Sequence, residues 1–257
     1  MSTGTVNTLI ARCMVDPEFL ALLSSDRDAA LRGYDLDDRT RSDFAALDIR
    51  RVIGLAAVIT KVQNNGLWQW IPNTRALTVR YGLEQELFAA FHREHQALRA
   101  GPRTRDEQTR RFFDFLGHAL AEWIPEETPG LRDVFQHERL LWELRTSLAA
   151  GVASALRVGF FSSSPHETIA AIREERFIPA NVRSAPQWLV YHADINAQTV
   201  RTLEVDEVTG RVLALAGGTR SIAAIARQCG IDRRRVKRLI DAAVDEGLIT
   251  IPVRRRH

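Results

Sequence analysis

The sequence predicts an α+β protein with a helical N-terminal bundle and a C-terminal winged-helix-like domain. Three observations carry that reading. Apolar residues recur at spacings of three and four from residue 83 to residue 148. After Gly159 the helical spacing gives way to turn signals and aromatic, β-branched runs. From Asp206 onward, three short amphipathic stretches follow one another, each opened by a capping residue and closed by glycine. At 257 residues the chain has room for one large domain or two small ones.

The elements follow in order. In residues 1–50, Leu9, Ile10, Cys13, Met14 and Val15 share a helical face. Asp16-Pro17 then restarts the chain, with Asp16 as cap and Pro17 in the first helical position. Gly33 stops this unit, and Asp37-Asp38 opens another short helix before Phe44 and Leu47. Residues 51–159 form the expected bundle domain. Arg50–Lys61 is apolar at helical spacing, and Asn64-Asn65-Gly66 marks a turn. Trp68 and Trp70 read as a core plug, and Asn73-Thr74 as a helix start. Three longer helices follow: Leu83–Arg99, Asp106–Trp123, and Leu131–Leu148. Gly101-Pro102 and Pro129-Gly130 separate them.

Residues 160–253 form the expected winged-helix-like domain. Ser164 caps a helix over His166–Glu175, and Gln187–His192 reads as a strand. Thr199–Val205 is a second strand, with Val200, Thr202 and Glu204 on one side and Leu203 and Val205 on the other. Asp206, Ser221 and Asp232 cap three helices that end near Gly217-Gly218, Gly230 and Gly247. Leu248–Ile251 is extended, and residues 254–257 are a basic tail expected to be disordered.

Composition narrows the function. Hydrophobic residues make up 45% and charged residues 26%, so the chain is an ordinary globular one. No apolar run approaches the roughly 18 residues that span a bilayer. Met1–Asn7 lacks the basic start of a secretory signal. Two distant cysteines, Cys13 and Cys229, cannot build a disulfide framework. A soluble, cytoplasmic protein with reduced thiols is the expectation. The formal charge is +3, but it is unevenly placed. Residues 227–257 carry a balance of +5 and the rest of the chain −2. The excess therefore belongs to the last helix and tail.

Nothing in the sequence points to catalysis by this chain. There is no nucleophile-elbow, phosphate-loop or dinucleotide-binding pattern. His92 and His95 are three apart on one helix, which permits a shared metal but lacks the His-Glu-x-x-His spacing of a zinc protease. A metal enzyme built on them is the third-ranked reading. Two other constellations stand out. The last helix carries Arg233, Arg234, Arg235, Lys237 and Arg238 near its start. As a helix-turn-helix, Ser221–Gln228 would precede a recognition helix over Asp232–Glu246, whose basic first turn meets phosphates and base edges. Alternatively its arginines attract an acidic peptide. The strand Thr199–Val205, as an edge strand, would accept a peptide by strand addition.

Two stretches resemble known families. Leu203-Glu204-Val205-Asp206 through Leu248-Ile249 resembles the precursor-peptide recognition element of ribosomal peptide natural-product pathways. The peptide chaperone of pyrroloquinoline quinone biosynthesis is its best-known member. The matching features are the strand, a helix ending Leu213-Ala214-Leu215-Ala216-Gly217-Gly218, then Thr219-Arg220-Ser221-Ile222-Ala223-Ala224-Ile225, and a last helix closing on Glu246-Gly247-Leu248-Ile249. Winged-helix DNA binders share much of this pattern. The middle resembles the helical domain of partner subunits of multinuclear non-heme iron oxidative enzymes, of which methanobactin biosynthesis has one. The carrying residues are Trp70-Ile71-Pro72-Asn73-Thr74, Glu86-Leu87-Phe88, Phe112-Phe113-Asp114-Phe115-Leu116, and Leu131 through Leu140-Leu141-Trp142-Glu143-Leu144.

The two resemblances cover about two thirds of the chain, and together they imply a non-catalytic partner subunit. It would hold the leader of a precursor peptide and form a heterodimer with an iron-dependent modifying enzyme. The iron would belong to that enzyme, with no cofactor in this chain. Thr202, Leu203, Glu204 and Val205 would supply strand contacts. Arg234, Arg235, Arg238, Leu239 and Ala242 would line the groove. The alternative is a winged-helix transcription regulator, for which the partner is DNA.

Overall fold

The fold is given by a computed structural model that describes residues 9, 12–13, 16–46, 48, 50–52, 62, 65–96, 104–124, 127–152, 155–194, 196–216 and 220–249. It is mixed α+β, mostly helical, with one small antiparallel sheet of three strands. Most of the expected Arg50–Lys61 helix, and all of the tail 254–257, lie outside the described residues. No described helix is long and apolar enough to cross a membrane.

The chain divides into two compact units, 1–69 with 85–112 and 70–84 with 113–257. The sequence-based boundary at 159/160 falls inside a strand, because the helix before it packs on the sheet and belongs with it.

In the first unit, α1 (Pro17–Ser25), α2 (Arg27–Leu31) and α3 (Asp38–Ala45) each begin on an aspartate. Asp16, Asp26 and Asp37 accept from the amides of Phe19, Ala29 and Thr40 at 2.8–2.9 Å. Each carboxylate satisfies an amide that the helix leaves unpaired and sits at the positive end of its dipole. Phe19, Leu23, Leu31 and Phe44 form the core here with Leu9, Cys13 and Val52. Trp68 is fully buried and meets Phe112 edge-on at 4.9 Å; Phe91 of α5 (Glu84–Gln96) does so at 5.0 Å. Trp68 therefore is the expected core plug, whereas Trp70 is 38% exposed.

The second unit is built around the sheet. It contains α4 (Pro72–Arg80), the end of α6 (Arg105–Glu122), α7 (Leu131–Ala149) and β1 (Leu156–Phe161). Then come α8 (Pro165–Arg173), β2 (Gln187–Asp194) and β3 (Thr199–Val205). The chain ends in α9 (Glu207–Ala216), α10 (Ile222–Cys229) and α11 (Arg233–Asp245). The strand order is β1-β2-β3, all antiparallel. Val158, Val190 and Leu203 lie in one row, so their side chains share a face. That face meets Leu213 of α9 and Ala243 of α11. The other face, carrying Phe161, Leu189, Tyr191 and Ala193, packs on Leu144 and Leu148 of α7. The central β2 is thus covered on both sides, which explains its unbroken apolar run. Val212, Ile225, Ala226, Cys229 and Val236 join the last three helices.

Two buried carboxylates tie α7 to its neighbours. The start of α4 has no side-chain cap of its own. Glu138 supplies it from 65 residues away, accepting from the Asn73 amide (3.0 Å) and Nδ2 (2.8 Å). It also accepts from the Thr74 amide (2.8 Å) and Oγ1 (2.7 Å). Asp133 does the same for the turn after β1, accepting from the amides and hydroxyls of Ser162 and Ser163 at 2.6–3.2 Å. Four donors per carboxylate offset the cost of removing a charge from water. Between them on α7, His137 Nδ1 lies 2.7 Å from Tyr191 Oη of β2. Burial, then the nearby His166 and Arg145, push the His137 imidazole down to about 4. Burial alone raises the Tyr191 phenol. Both groups are therefore neutral at pH 7.

Candidate functional site: the open edge of the sheet and the last helix

β3 is an edge strand. It hydrogen-bonds to β2 on one side and, among the described residues, to no strand on the other. Its unpaired amides and carbonyls form a template for another extended chain. The expected alternation holds. Thr202 pairs with Tyr191 and Glu204 with Leu189, on the α7 face. Leu203 pairs with Val190 and Val205 with Trp188, on the α9/α11 face. Leu203 is 44% exposed, while Val205 joins the apolar cluster with Ala243.

The last helix packs on the Leu203/Val205 face of the sheet through Ala243. At its start, Arg235 is within electrostatic reach of Asp206, just past the end of β3. The Asp206 carboxyl is held below its ordinary value first by the Thr209 hydroxyl and amide, with Arg235 adding to the effect. Past its other end, the Gly247 backbone hydrogen-bonds to His192, whose strand partner is Arg201 near the start of β3. Burial lowers the His192 imidazole; Asp194 and the Gly247 bond oppose that shift, and Arg201 adds to it.

The structure places the sequence-predicted residues as follows. Arg234, Arg235 and Arg238 are exposed on α11, and among the described residues none is seen in an ion pair. Lys237 instead bonds Asp241 at 2.6 Å. Arg235, Leu239 and Ala242 follow one another at spacings of four and three, hence on one stripe of the helix. Ala242 is exposed. Leu239 is half-buried and packs against the three-helix core, so only part of it is available to a groove. Asp232 caps α11 by accepting from the Arg235 amide at 2.8 Å, which fixes where the arginine-rich turn begins. Ser221 caps α10 in the same way at 3.2 Å.

His92 and His95 sit on α5, one turn apart, and their side chains lie outside the described residues. Among the described residues, no group of three or more His, Cys, Asp or Glu side chains converges to hold a metal ion. Cys13 and Cys229 are both buried free thiols, and burial pushes the Cys13 thiol up.

Sequence reasoning missed the corner where the sheet ends. Phe160, Trp188 and Val205 form one row across all three strands, and α9 starts beside them. The turn signal at Ser162–Pro165 was legible, but β1 was not read as a strand, so the row could not be assembled.

No known family model matches the sequence, and no characterised protein shows significant similarity to it.

Proposed function

We propose that this chain is a non-catalytic partner protein that binds the leader of a ribosomally made precursor peptide and presents it to an iron-dependent oxidative modifying enzyme. The observation that carries the reading is the edge of β3, open among the described residues, with Leu203 exposed on it and exposed arginines on α11, which packs on the same sheet face. Strand addition supplies main-chain hydrogen bonds along Thr202–Val205, and side-chain contacts set the register. An apolar leader residue covers Leu203, and acidic ones face Arg234, Arg235 and Arg238. We read β1, α8, β2 and β3, followed by the three helices α9 to α11, as a winged-helix-like arrangement that serves a peptide. Tethering the leader raises the concentration of the attached core peptide at the enzyme's active site without any new contact there. The iron and its ligands belong to the partner enzyme, which joins this chain as a heterodimer.

The experiment is a titration of the full chain with the leader of a precursor peptide encoded beside it, and in parallel with duplex DNA, at low and moderate salt. The reading expects saturable peptide binding and weak, non-specific DNA binding. Tight DNA binding with a steep salt slope and no peptide binding would overturn it. That outcome would instead favour α10–α11 as a DNA-binding helix-turn-helix, the reading to which the exposed arginines at the start of α11 also lend themselves.

A further inference from the structure

At the end of the sheet beside the Val205 end of β3 lies a cavity of about 690 Å³. Two aromatic rings and three carboxylates line it. Phe160 is 48% exposed, and its ring lies 5.2 Å from that of Trp188. Trp188 is held in place from behind, because α9 crosses it at Gly210, where a Cβ would come within 2.6 Å of the indole. Among the carboxylates, Asp206 is engaged by Thr209 at 2.6 and 3.0 Å. Glu207 meets only Arg211, at a loose 3.5 Å, and Glu204 is exposed with no ion pair among the described residues. Gln187 also lines the cavity, and its buried Nε2 has no hydrogen-bond acceptor. With Arg211 counted, the lining still carries net negative charge.

Flat aromatic faces with carboxylates beside them are the surroundings that a guanidinium or alkylammonium group prefers. An apolar side chain would leave Glu207 with only its loose contact to Arg211, and an acidic one would be repelled. We propose that this cavity receives one cationic side chain, an arginine or a lysine, of the peptide docked on β3. The cation lies over Phe160 and Trp188, on the α9 face of the sheet, and pairs with Glu207 at the start of α9. The inference rests on the peptide-binding reading for the identity of its ligand, and it adds a chemical rule to it. The leader carries acidic residues opposite α11 and a basic one at the Val205 end of β3.

The pocket is tested without any leader. The full chain is titrated with acetyl-arginine amide and with its neutral isostere acetyl-citrulline amide, and the Trp188 indole N–H resonance is followed by NMR. The proposal expects saturable, millimolar shifts with the arginine probe and binding weaker by about tenfold or more with citrulline. Glu207→Gln weakens the arginine probe several-fold while the amide spectrum stays folded. Equal response to both probes, or no effect of the substitution, overturns the proposal. So does binding that emerges only when residues 254–257 are deleted, since the chain's own arginines would then be the occupant. A failure here leaves strand addition on β3 untouched, because that is read with the leader. Absence of leader binding would not abolish the probe's shifts.

Discussion

At the scale of single residues, the second unit depends on polar groups buried among apolar ones. Glu138 holds the first turn of α4 through four hydrogen bonds. Replacing it with alanine leaves buried donors unpaired, and urea denaturation should register a loss of about 3 kcal/mol. The neutral His137 makes stability depend on pH. Its imidazole falls from 6.5 when unfolded to about 4 when folded, so the unfolded chain binds the extra proton between those values. Stability contributed by this group is therefore full above about pH 6.5 and declines as the pH drops to 4, by about 3 kcal/mol in total. His137→Gln should flatten that part of the stability–pH curve. Gly210→Ala places a methyl group against the Trp188 indole and should cost about 1–3 kcal/mol by overpacking.

At the scale of elements, helix starts were legible because their cause is local. Asp16-Pro17, Ser164-Pro165, Ser221 and Asp232 each carry the cap and the first turn within four residues, and each caps in the structure. Ser221→Ala should lower stability by about 1 kcal/mol. β3 was legible as well, from its alternation and the Asp206 stop. β1 was not. Leu156-Arg157-Val158-Gly159 mixes a charge and a glycine into an edge strand, and its pairing partner begins 26 residues after its end. The buried roles of Asp133 and Glu138 were equally hidden, since their partners lie 29 to 65 residues away in sequence. The consequence for the candidate site is uneven: its strand and its cationic helix could be read, while the aromatic corner could not. Leu203→Glu tests the readable part. The side chain is 44% exposed, so thermal stability should shift little, whereas leader affinity should fall about tenfold or more.

At the scale of the whole molecule, the charge asymmetry of the sequence acquires a place. Within residues 227–257, whose balance is +5, α11 carries +3 and the tail 254–257 another +3; the −2 balance of the rest includes the carboxylates at the Val205 end of β3. A peptide aligned on β3 meets both signs within a few residues. That arrangement selects register and direction, which a uniformly basic surface would not do. The central claim is that β3 is the docking edge. Hydrogen exchange of the full chain, with and without the leader peptide, reads this directly. Slowed exchange should appear at outward-facing amides of residues 199–205. If the leader binds and those amides exchange unchanged, the account is contradicted.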